Sequence, residues 1–65
     1  MKDEEIVAAI DEVMVRMGWT IQRKEIYVFV IEKVRDSEAD GTVVSRRGVR
    51  DLTMENILER ANGDA

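Results

Sequence analysis

With 65 residues, 14 acidic and 10 basic side chains and a net charge of −4, the chain has room for one domain, 1–65, and is too acidic overall to be a general nucleic-acid glove. It holds no cysteine and no histidine, which excludes disulfide staples and zinc fingers and leaves stability to packing, with a second subunit as its natural supplement. No stretch is long or apolar enough to span a membrane, and the opening Met1-Lys2-Asp3-Glu4-Glu5 carries no apolar signal segment, so cytoplasmic residence is the expectation.

In chain order, Asp3 is the expected N-cap of a first helix, with Glu4 and Glu5 placed where negative charge favours the helix dipole. Ile6, Ile10, Val13, Met14 and Met17 recur at three- and four-residue spacing and predict one buried stripe. Gly18 suits a left-handed helix end, and Trp19 falls where a Schellman motif folds an apolar residue back onto Met14. Trp19 to Lys24 then alternates as a short half-buried strand would.

The next run, Ile26-Tyr27-Val28-Phe29-Val30-Ile31, is dense in β-branched and aromatic residues, which favours a strand. A helix is the alternative, because Ile26, Tyr27, Val30, Ile31 and Val34 share one side of a helical wheel, with Val28 and Phe29 off that stripe. The turn decides for a hairpin: Ala39-Asp40-Gly41 fits a three-residue loop with Gly41 left-handed, leading into a third strand from Val43-Val44. Asp36, Glu38 and Asp40 mimic the first half of an EF-hand loop, yet Arg47 stands where calcium needs a bidentate carboxylate, so no metal site is assigned. A final helix is predicted from Leu52-Thr53, with Thr53 as N-cap, Met54, Ile57, Leu58 and Ala61 as its apolar face, and Gly63 as its end. The expected fold class is therefore α+β: a two-layer αβββα domain, two helices on one face of a small antiparallel sheet, with an all-α three-helix bundle as the alternative.

This order, with Gly18-Trp19, Thr20 to Lys24, Asp40-Gly41, Val44-Ser45-Arg46-Arg47 and the closing Ala61-Asn62-Gly63, resembles the HicA toxin family, mRNA interferases with a double-stranded-RNA-binding-like fold. The resemblance implies a toxin–antitoxin setting and a catalytic histidine near Ile26 or Tyr27. As the chain has no histidine, it implies a non-catalytic relative. No other nucleophile–base pair or phosphate loop is present, and Asp11 and Glu12 sit on adjacent helix positions that point apart.

In the hairpin, even positions oppose even ones, which places Ile26, Val28, Val30 and Val34 under the helices. Tyr27, Phe29, Ile31, Lys33 and Arg35 then stand on the open face with Arg47, and Arg23, Lys24, Arg46 and Arg50 add a secondary basic set. If the faces are inverted, the aromatics are core. The expected function is a small, non-catalytic, regulatory binding module whose partner is another protein or a second copy of itself, with no cofactor and no small-molecule substrate. The alternative is RNA binding, with bases stacked on the aromatics and phosphates on the arginines.

Overall fold

A computed structural model of the protein describes residues 1–63, and among these it contains three helices and no strand: α1 Asp3–Met17, α2 Arg23–Ala39 and α3 Arg46–Gly63. The αβββα sheet expected from the β-rich run and its turn is overturned. The chain is a small all-helical, bundle-like domain in which every pair of helices packs. With the sheet go the hairpin pairing, its even and odd faces, and the double-stranded-RNA-binding-like fold that the HicA resemblance implies. No helix is long and apolar enough to cross a membrane.

The end of α1 forms as its residues predict. Gly18 sits at φ 66° in the left-handed region, its N–H bonds the Val15 carbonyl, and the Trp19 N–H bonds the Met14 carbonyl at 3.0 Å, the two bonds of a Schellman motif. The N-cap is Lys2 rather than Asp3, and it offers no side-chain cap. Asp3, Glu4 and Glu5 fill the first turn, where their charge favours the dipole. Trp19 to Gln22 is not a strand. Gln22 stands in the left-handed region at φ 57° and turns the chain directly into α2.

The decisive helix is α2. Ile26, Val30 and Val34 follow one another at four-residue spacing and are all fully withdrawn from water, so one helical stripe collects what a strand would have split with its charged neighbours. A β-branched residue costs only about 0.5 kcal/mol relative to alanine in a helix, whereas burying each such side chain contributes about 1.5–3 kcal/mol. Packing wins by a wide margin. The Asp40-Gly41 step ends this helix instead of turning a hairpin. Gly41 is left-handed at φ 84°, its N–H bonds the Glu38 carbonyl and the Thr42 N–H bonds the Ser37 carbonyl, both at 3.0 Å, a second Schellman motif.

The last helix begins seven residues before the predicted Thr53, at Arg46, with the Ser45 hydroxyl accepting the Gly48 N–H at 3.1 Å as an N-cap does. Thr53 lies buried in mid-helix, where its hydroxyl donates to the Val49 carbonyl at 2.8 Å. Val49, Thr53, Asn56 and Ile57 form the inward face, and Met54 and Leu58, predicted to be core, are exposed. The core is completed by Ile6, Ala9, Ile10, Val13 and Met14 of α1. Trp19 packs against it, although its indole N–H is buried without a partner among the described residues, a cost of about 1–3 kcal/mol that the ring's packing has to offset.

Val28 and Val30 would share a buried face in a strand, but the helix separates them: Val28 is 57% exposed and Val30 is buried. In urea unfolding, Val30→Ala is expected to cost about 2 kcal/mol and Val28→Ala less than about 0.5 kcal/mol. Gly41→Ala is expected to cost about 1 kcal/mol, because alanine resists the left-handed conformation that ends α2.

Candidate functional site

The buried stripe of α2 divides the predicted site residues. Tyr27, Ile31 and Arg35, also spaced by four, lie on the flank that meets α1. Arg23 Nη1 donates to Asp11 Oδ1 at 2.9 Å and to the Tyr27 hydroxyl at 3.2 Å, and the Tyr27 hydroxyl in turn donates to Asp11. The Tyr27 hydroxyl first, and Asp11 behind it, hold the Arg23 guanidinium above its ordinary pKa. Arg35 pairs with Asp3, and its Nη1 donates at 2.7 Å to both the Met1 carbonyl and Glu38 Oε1. Ile31 packs half-buried on the core. Tyr27 and Arg35 are therefore committed to holding α1 against α2 and do not form an open face. Since Asp3 meets Arg35 while Asp11 meets Arg23, the two helices run antiparallel.

Phe29 and Lys33 occupy the opposite flank, Lys33 Nζ lying 5.5 Å from the Phe29 ring centroid in cation–π range. Phe29 is half-buried and helps line a shallow groove of about 480 Å³ between α2 and α3, together with Lys24, Glu25, Val28, Glu32 and Arg60. Val28 sits on the outer surface of α2, one turn from Lys24 and one turn from Glu32.

Arg47 belongs to neither flank. It lies in a second groove of about 370 Å³ on the seam of α1 and α3, lined by Val13, Arg16 and Met17 from the first helix and by Arg47, Arg50, Asp51 and Met54 from the third. Arg50 Nη1 reaches Glu12 Oε2 at 3.6 Å, and Arg46 is exposed on the first turn of α3. The set Tyr27, Phe29, Ile31, Lys33, Arg35 and Arg47 is thus spread over three places instead of forming one surface.

Sequence reasoning missed Val28, Arg60, Arg16, Met17 and Met54 as surface-lining residues. For Val28 the signal was present, since it falls off the apolar side of the helical wheel. Among the described residues no group of three or more Asp and Glu gathers as a metal site; of the three acids that mimic a calcium loop, Glu38 is engaged by Arg35 and by the Met1 ammonium at 2.6 Å. No family model matches the chain, and neither a curated protein nor a solved structure matches it.

The Met1 ammonium, followed by the Arg35 guanidinium, holds the Glu38 carboxyl below its ordinary value of 4.5. A carboxyl whose pKa is lowered by folding stabilises the native state above its unfolded pKa, and that contribution disappears as pH falls through the folded value. Glu38→Gln is therefore expected to be less stable than wild type at neutral pH, with the difference shrinking in parallel denaturant titrations as acidification protonates the folded-state carboxyl.

Proposed function

We propose that this chain is a small non-catalytic binding module that works by pairing with a second copy of itself through the outer face of α2. The observation that carries this reading is the order of side chains there. Lys24, Val28 and Glu32 stand one turn apart along the outside of the helix, a 57% exposed valine between opposite charges. Among the described residues neither Lys24 nor Glu32 has an ion-pair partner.

Such a stripe is self-complementary. Two α2 helices crossing antiparallel about a two-fold axis at Val28 bring valine onto valine, and each Lys24 onto Glu32 of the second copy, which makes two reciprocal pairs from one patch. Phe29 and the groove beside it lie at the edge of this contact and supply further apolar area. A contact one helix wide falls at the small end of specific interfaces, so the dimer is weak, with a Kd of about 10–100 µM.

The absence of histidine and cysteine removes the commonest acid–base and nucleophilic groups. Both grooves are open to water, and the Tyr27–Asp11 pair is tied to Arg23 between helices. These features support a binding role over a catalytic one, and the lack of cysteine suits a reducing cytoplasm.

Sedimentation equilibrium tests the pairing. Wild type is expected to shift from monomer to dimer as concentration rises through about 10–100 µM, Val28→Asp to stay monomeric, Lys24→Glu to weaken association and Lys24→Glu with Glu32→Lys to restore it. A wild type that remains monomeric at about 1 mM, ten times the weakest affinity proposed, overturns the proposal.

A further inference from the structure

Three of the 10 cationic side chains of this acidic protein, Arg16, Arg47 and Arg50, line the groove between α1 and α3, against two nearby carboxylates, Glu12 and Asp51. The floor between them is apolar: Val13 is buried at its base, and Met17 and Met54 are 38% and 43% exposed. Only Arg50 of the three has an ion pair among the described residues. We infer that this groove docks an acidic amphipathic helix of another protein, its apolar side chains seated on Met17 and Met54 and its carboxylates on Arg16, Arg47 and Arg50.

Three physical arguments choose that occupant. All the cations here are arginines, and the chain's lysines, Lys2, Lys24 and Lys33, lie elsewhere. The planar guanidinium fork matches a carboxylate with two parallel hydrogen bonds. Methionine is a pliable apolar surface that adapts to varied anchors, as it does where amphipathic helices are bound. A phosphodiester chain would put nothing apolar on those methionines, and its dense charge would be opposed by Glu12, Asp51 and the net charge of −4 far more than a few carboxylates would.

The occupant is a helix because the described residues offer no sheet edge to extend, while α1 and α3 present a seam on which a further helix can lie. The groove shares no residue with the outer face of α2, so the inference stands whether or not the chain pairs with itself. If it does pair, each dimer offers two such grooves, and a partner with two acidic helices gains affinity from binding both.

The full chain, labelled at its methionine methyls, is titrated with helical peptides of about 14 residues, or four turns. One set carries Leu or Phe anchors at four-residue spacing among glutamates, and a matched set replaces the glutamates with lysines. Mixed-sequence duplex DNA and single-stranded RNA serve as polyanion probes. The acidic set is expected to move the Met17 and Met54 methyl resonances with little change at buried Met14. Arg47→Glu is expected to weaken that binding at least tenfold, whereas Lys2→Glu, at the opposite end of α1 from the groove, leaves it unchanged. Unmoved Met17 and Met54 methyls at millimolar acidic peptide, equal binding of the lysine set, or tighter binding of either nucleic acid overturns the inference. Dimerisation is read separately by sedimentation, so failure of one proposal is distinguishable from failure of the other.

Discussion

Ile26, Val30 and Val34 form the stripe on which the rest of the structure depends. Each is fully withdrawn from water, and together they join the α1 set of Ile6, Ala9, Ile10, Val13 and Met14 to Val49 and Ile57 of α3 in a single core. A chain this short buries little surface per residue, so it cannot leave such a stripe half covered. Four-residue spacing in α2 means that the helix, once docked, must turn Val28 outward. The apolar character of the outer face is thus a consequence of how the core is filled.

The seam between α1 and α2 shows how charge assists this packing without driving it. Asp11 with Arg23, Asp3 with Arg35 and the Met1 ammonium with Glu38 are largely surface pairs, each contributing little to stability. Their value is in register, since a shifted α2 would place Arg23 and Arg35 away from their acids. The same engagement removes Tyr27 and Arg35 from any binding surface. The exposed charges on the outer face of α2 and the arginines on the seam of α1 and α3 remain for partners, and both proposals rest on these.

Much of α1 was legible in the sequence because its signals agree: acidic first turn, regular apolar spacing, and Gly18-Trp19 closing it. In α2 the local signals conflict. Five β-branched residues, Ile26, Val28, Val30, Ile31 and Val34, and an Asp-Gly step favour a hairpin, and left-handed Gly41 serves a hairpin bulge and a helix end equally well. The tie is broken by burial at a distance, which no local window contains. In α3 the inward positions Thr53 and Asn56 are polar, so the apolar pattern began too late and Thr53 passed for a cap when it was bonding back to Val49. The candidate surfaces failed for the same reason. Alternation put Tyr27, Phe29, Lys33 and Arg47 together, whereas a 3.6-residue repeat sends them to different sides of the domain, although Arg47 and Arg50 do share a groove.

The claim most open to direct test is that 23–39 is one continuous helix. Backbone Cα chemical shifts of the protein in solution measure this residue by residue. An unbroken run of helical shifts from Arg23 to Ala39, ending at Gly41, is the result this account predicts. Strand-type shifts from Ile26 to Val34 would contradict it and return Val28 to the interior.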